Sequence, residues 1–208
     1  MAVAGKVSGM YRVDGESVAF TDLTLVNTGD NQTFRVDLTD TAHKYWDKLK
    51  QTTISVDLGS GFQPSTVDFE IQHPSGYVIF KEALIPSAVV QVDGFAFSLV
   101  QVAGAFGWSL DLKTDTLDAT TFENDGWKSF VTSFRSYTAK VDKFWVTDDL
   151  PIFNIELMFA FYVSTKSDQS RFEGWGIINN EKVEVAVGEL VKAPLEIQGT
   201  DGIYFRRG

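Results

Sequence analysis

From Phe153 to Ser164 the chain alternates without interruption. Phe153, Ile155, Leu157, Phe159, Phe161 and Val163 share one parity; Asn154, Glu156, Met158, Ala160, Tyr162 and Ser164 share the other. A period of two marks an extended strand, because successive side chains leave opposite faces of the backbone. At about 3.3 Å per residue the run predicts a strand of roughly 40 Å. So long a strand needs an equally long partner, and an uncovered edge is a liability to a small monomer. The chain is thereby committed to extended sheet.

Similar signals recur along its length. Strands are expected at 17–26, 53–58, 66–72, 77–80, 89–92, 95–102, 106–112, 137–146, 171–178, 182–190 and 195–198. Turn chemistry separates them at Asn27-Thr28-Gly29-Asp30, Pro74-Ser75-Gly76, Asp93-Gly94, Asn179-Asn180 and Asp201-Gly202. Asn179-Asn180, between two alternating runs, predicts a hairpin.

One helix is expected, over Glu123–Phe134. Thr120 and Glu123 have capping-box spacing, and Trp127, Phe130, Val131 and Phe134 fall at i, i+3, i+4 and i+7. Gly126 weakens such a helix by about 1 kcal/mol, so it would depend on docking against a sheet. The expected fold is therefore mainly β, with one helix docked on a sheet. An internal echo, Asp37 to Trp46 and Asp118 to Trp127, each at a spacing of nine, suggests related halves divided near Val102. The corresponding domains are 1–101, β-rich, and 102–208, carrying the helix.

Chemistry is sparse. The absence of Cys excludes disulfides and thiolate sites, and two His give a triad or a His-based metal centre little to work with. His43 and His73 read as solvated. Asp111, Asp115 and Asp118 lack the ligand pattern of a calcium loop. Asp148, Asp149 and Glu156 are the nearest approach to a glycosidase pair. Gly59-Ser60-Gly61 has neither the Lys nor the following helix of a phosphate loop. Trp108, Trp145 and Trp175 read as packed strand residues; Trp46, if exposed, could serve a glycan platform. No enzyme, cofactor or metal is expected.

Net charge is −10, divided evenly between the halves, without a basic patch for phosphates. No leader-like apolar run or membrane-length segment stands out, so a soluble protein made in a cytoplasm is expected.

The run GAFGWSLDL…DTLDATTFENDGWKSFV…SYTAKVDKFW resembles the major tail tube proteins of long-tailed (siphovirus-like) bacteriophages. The positions that carry the resemblance are Asp118, Thr120, Thr121, Phe122, Gly126, Trp127, Phe144 and Trp145, joined by Gly174, Gly176, Gly188, Leu190 and Gly199 in a similar closing segment. It covers 105–208 and extends only loosely to 1–104. The resemblance implies a tail-tube-like fold of two packed antiparallel sheets, as a β-sandwich or partial barrel, with one flanking α-helix, and a virion protein of the phage tail whose six copies form a ring. Rings stack into a tube through which DNA passes as non-specific cargo. The implied partners are further copies, a tape-measure protein, a terminator and distal tail proteins, with no membrane.

On that reading Trp127, Phe130, Phe134, Trp108 and Trp145 anchor fold and assembly. Strand alternation offers Glu156, Glu184 and Glu189 as lumen-facing acids, where like charge would keep a polyanion off the wall. The alternatives are another phage structural role, such as tail terminator or head decoration, and then a carbohydrate-binding β-sandwich.

Overall fold

The computed structural model of the chain describes residues 9–118, 128, 130–145, 155–163, 170–185 and 189–207. The chain is mainly β and antiparallel, and it divides into two compact units, Val13–Val100 and Met1–Arg12 with Gln101–Gly208.

The unit formed by Val13–Val100 is a sandwich. One layer holds most of β1 (Gly9–Thr24), β9 (Val89–Gln101), β5 (Thr53–Asp57) and β6 (Phe62–Pro64), with β4 (Tyr45–Trp46) paired to β9. The other runs β2 (Val26–Asn27), β3 (Thr33–Arg35), β8 (Tyr77–Phe80), β7 (Phe69–Gln72). Alternation explains the arrangement. Ile54 and Val56 of β5, Val90 and Val92 of β9, and Val78 and Phe80 of β8 all turn into one shared core with Phe34, Val36 and Trp46.

Trp46 is 1% exposed, and its Nε1–H donates to the His43 carbonyl at 2.7 Å. Ser75 and Gly76 turn the chain between β7 and β8 with φ of 64° and 57°. A Cβ on Gly76 would lie 2.5 Å from Val36 Cγ2 and 2.9 Å from the Trp46 ring, so the turn can approach the core only without a side chain.

The other unit is one sheet in the order β10 (Ala105–Asp118), β11 (Phe130–Lys143), β14 (Leu195–Arg206), β13 (Arg171–Glu181), β12 (Glu156–Tyr162), then the first residues of β1. Leu157 to Phe161 are buried on both faces, so β12 is a central strand rather than a half-solvated one. It is also shorter than its sequence suggests. Ile155 and Val163 lie outside the strand, while Phe153, Asn154 and Ser164 are outside the described residues. The long elements are β1, β10 and β11.

Several expectations are corrected. No helix occurs among the described residues. Phe130–Phe134 form the start of β11, paired to Asp118, Leu117 and Thr116 of β10, while 123–127 lie outside the description. The β-branched and aromatic content of FVTSFRSYT, together with a partner strand, outweighs an apolar stripe that also contains Gly126. Asn179 and Asn180 are not a hairpin turn; β13 continues through a bulge to Glu181. Asp93-Gly94 and Asp201-Gly202 lie within β9 and β14. At Gly94 the missing side chain admits the Phe20 ring, which a Cβ would meet at 3.1 Å. Residues 182–185 contribute only an isolated bridge, Glu184 to Lys192.

The expected echo differs locally in its two copies. Asp37 binds the Thr39 amide and hydroxyl in a loop, whereas Asp118 is a strand residue paired to Phe130.

The β2–β3 turn is held by side chains. Asp30 accepts from the Thr33 amide at 2.7 Å, the Thr33 hydroxyl at 2.7 Å and the Gln32 amide at 2.9 Å. Those bonds, the Thr33 amide foremost, hold its carboxyl down at about 2. A lowered folded value stabilises above the unfolded one, so the contribution is intact at neutral pH and disappears as pH falls from 3.8 through about 2. Asp30→Asn is therefore expected to flatten the acid limb of the stability profile in that window. Urea titrations of both proteins at several acid pH values check this; superimposable limbs would refute it.

Candidate assembly site

β10 and β11 are paired over their whole length, with irregularities at Gly107 and at Thr114–Thr116. Fourteen residues at about 3.3 Å make a ribbon of roughly 46 Å. Only its base is supported: β14 pairs with β11 from Thr138 to Val141 and no further. Beyond that, every residue from Asp111 to Thr116 is exposed on both faces of β10, as are Arg135 and Ser136 opposite. β10 is also an edge of the sheet, so its outer backbone groups have no ladder among the described residues. A two-stranded ribbon exposed in this way is marginally stable by itself.

The separation of β11 from β14 is built by specific side chains. Tyr137 of β11 turns across β14, and its hydroxyl donates to the Trp175 carbonyl of β13. The ring occupies the space above Gly199, where a Cβ would come within 2.3 Å of its Cδ1 and Cε1. Gly174 clears the hydroxyl in the same way, with its Cβ position 2.8 Å from the oxygen. The Gln198 amide donates to the Tyr137 carbonyl at 3.2 Å, giving it a side-chain partner just past the last paired position. Burial foremost, then the Asp201 and Glu156 carboxylates, push the Tyr137 hydroxyl far above the usual phenol range. It remains a proton donor at every physiological pH.

Past this point lies a cleft of about 690 Å³. Gly199 to Tyr204 of β14 form one wall; Arg135, Ser136 and Tyr137 of β11, with Leu112, Lys113 and Thr114 of β10, form the other. The Thr200 hydroxyl donates to Glu156.

A buried ionic group lies on neighbouring strands. Arg171 and Glu173, 1% and 0% exposed, are hydrogen-bonded partners, and Arg206 Nε lies 4.0 Å from the second Glu173 oxygen. Buried charges require such pairing, and removing one partner is costly. Here the pairing also ties the register of β13 to β14, where Arg171 stands opposite Arg206. Lys143 and Glu181 form a second buried pair at 3.4 Å.

The residues expected to matter are dispersed. Trp108 is half-buried in β10, its Nε1–H donating to the Tyr162 carbonyl at 3.2 Å and its ring against Phe161 and Phe172. Trp145 is 40% exposed and not packed as expected; it ends its strand by donating its amide to Val191. Trp127 and the side chains of Phe130 and Phe134 lie outside what is described.

Glu156 is half-buried beside Thr200. Glu184 is exposed and held below the usual carboxylate range by hydrogen bonding to Lys182 at 2.7 Å, and Glu189 is exposed. Trp46 is buried, which removes the glycan platform suggested for it, and Trp175 is packed as its strand position predicts. His43 is hydrogen-bonded to Asp40 at 2.8 Å and edges the Phe20 ring rather than lying free in solvent. Asp148 and Asp149 lie outside the described residues.

Tyr137, Gln198 and Gly199 were missed as a unit. Their signal was Gly174, Gly176 and Gly199 within strand runs, since an interior strand glycine marks a close approach.

The arrangement predicts strong coupling. Tyr137→Phe removes the hydroxyl's bond to the Trp175 carbonyl and should cost about 0.5–1.5 kcal/mol. Gly199→Ala overpacks the ring and should cost a similar amount or more. In a Tyr137→Ala background the added Gly199→Ala change should cost much less, because no ring remains to be displaced. Chemical denaturation of the four proteins tests it, and additive costs would remove the ring from Gly199. Comparison with protein-family models gives no match for this chain, and comparison with curated proteins finds no relative.

Proposed function

We propose that this chain is a structural subunit that assembles with copies of itself into rings stacked as a tube, in the manner of phage tail tube proteins. The observation that carries the reading is the β10–β11 ribbon: long, exposed on both faces of β10 from Asp111 to Thr116, and, among the described residues, ending the sheet with an open edge. Such an edge is a template for pairing with another chain. Contact between copies would supply the ladder and the apolar cover that the ribbon lacks. Leu112 (57% exposed) and Phe106 (48% exposed) of β10 are side chains such a contact would bury.

The sequence resemblance adds the ring and the DNA channel. Net charge of −10 agrees with a passage that must not bind its cargo, because clustered cations on the wall would hold phosphates. A lumen acid has to face solvent, which favours Glu184 and Glu189 over the Thr200-bound Glu156. On this reading the protein is a component of a virion tail rather than an enzyme, and its implied partners are other tail proteins. The glycan-binding alternative has lost the exposed Trp46 it required.

Negative-stain microscopy with light scattering is the direct test. Six-fold rings or hollow tubes are expected, growing with concentration. Leu112→Asp should leave the melting temperature of the subunit nearly unchanged, as exposed substitutions shift stability by about 0.5 kcal/mol or less, while abolishing rings. A chain that stays monomeric at its highest soluble concentration, or assembles equally well with Leu112→Asp, overturns the reading.

A further inference from the structure

We infer that Asp201-Gly202 is a site of spontaneous main-chain rearrangement. The Gly202 nitrogen closes on the Asp201 side chain to give a succinimide, and water reopens it as isoaspartate. The modification goes beyond the assembly reading and does not depend on it.

The chain holds four Asp-Gly pairs, beginning at Asp14, Asp93, Asp125 and Asp201. Glycine puts no side chain beside the attacking nitrogen and lets the backbone take the turn that ring closure needs. A regular ladder opposes the reaction, because a paired segment must first open locally. Local geometry therefore decides which pair reacts.

At Asp201 the geometry favours closure. The Gly202 amide donates to Asp201 Oδ1 at 2.7 Å. The carboxyl carbon is one bond from that oxygen, so the atoms that would join are already neighbours. The ladder is also interrupted here. Gly174 stands opposite Ile203 and Gly176 opposite Gly199, so Thr200, Asp201 and Gly202 together face the single residue Trp175. A bulge leaves its extra residues out of the pairing. All three are exposed, which admits water.

Asp93-Gly94 is the internal contrast. Its carboxylate accepts the Asp22 amide at 2.8 Å, and Asp93 stands in register opposite Thr53. The Phe20 ring fills the space beside Gly94, 3.1 Å from where a Cβ would lie. Asp125 lies outside the described residues.

The chemistry balances with water as the only co-reactant. The Gly202 nitrogen bonds to Asp201 Cγ and gives up its proton, while the protonated carboxyl gives up a hydroxyl; the two leave as water. Water then adds to either ring carbonyl. Opening at Cγ restores aspartate. Opening at the main-chain carbonyl leaves the chain running through Cβ and Cγ, one methylene longer, with a carboxylate on Cα. That methylene enters β14 where the Gly202 carbonyl lies 3.1 Å from the Cβ position of Gly174, so the pairing of Gly174 with Ile203 is what it disturbs.

The full chain would be aged in neutral buffer, folded and in parallel in urea, then cleaved after Lys192 and Arg206. Peptide 193–206 is expected to resolve into two species of equal mass, with electron-transfer fragmentation placing isoaspartate at Asp201. In the folded chain Asp201 should convert at least as fast as in urea, whereas Asp93 should be slowed about tenfold or more by its need to open. Asp201→Glu, whose longer side chain cannot close the same ring, should give a single species. Gly202→Ala should slow conversion, its methyl meeting the end of the Tyr204 side chain at 3.1 Å.

Conversion at Asp201 that is slower folded than in urea, or slowed as much as at Asp93, overturns the site. A second species that persists in Asp201→Glu arises from another residue and overturns it as well.

Discussion

The phenol ring of Tyr137 lying over Gly199 decides the form of the second unit. With it, the sheet divides after Val141–Thr138 against Leu195–Gln198. Three glycines make this possible. Gly174 and Gly199 clear the hydroxyl and the ring, and Gly176 lets β13 lie against the Gln198 carbonyl, where a Cβ would sit at 2.8 Å. Interior strand glycines lose conformational entropy and packing surface, so their concentration here indicates close backbone approach as their use.

The two units solve the burial of apolar residues differently. Val13–Val100 places two sheets face to face and fills the space between them with alternate residues of each. Its turns are made locally, by Asp30 at β2–β3, by Asp57 accepting the Gly59 and Gly61 amides at β5–β6, and by Ser75-Gly76 at β7–β8. The unit containing Gln101–Gly208 instead buries its central strand β12 on both faces and puts charges into its interior as pairs, Arg171 with Glu173 and Lys143 with Glu181. Apolar packing alone tolerates a slipped strand. Pairs that cross strands, Glu173 with Arg206 and Lys143 with Glu181, do not, because slippage by one residue would strand a charge.

The fold class was legible in the sequence because period-two alternation reports strand directly, as at β5 and β8, whose buried residues are the alternate ones. Strand extent was less legible. Asp93-Gly94 and Asp201-Gly202 carry turn chemistry, yet in β9 and β14 neighbouring strands impose the extended form and the glycine serves a side chain across the sheet. The same tertiary override explains the missing helix. Val131 and Phe134 suit a helical stripe, but the ladder to Thr116–Asp118 is a long-range interaction that a local window cannot see. Of the candidate site, the glycines were visible and their partner was not. No local pattern states that the tyrosine of one strand will occupy the space left by a glycine on the next.

A self-assembling reading draws its strength from asymmetry between two unlike surfaces. On the proposed reading the outer edge of β10, which ends the sheet among the described residues, meets a different surface of the next copy. Joining one to the other on successive copies is a heterologous contact, which cannot end in a two-fold dimer with both surfaces satisfied. It either closes into a ring or continues as a filament. On that reading the rotation between copies sets which of the two results. Tyr137 over Gly199 and the four paired positions from Thr138 to Val141 mark where the supported part of the sheet ends and the exposed ribbon begins.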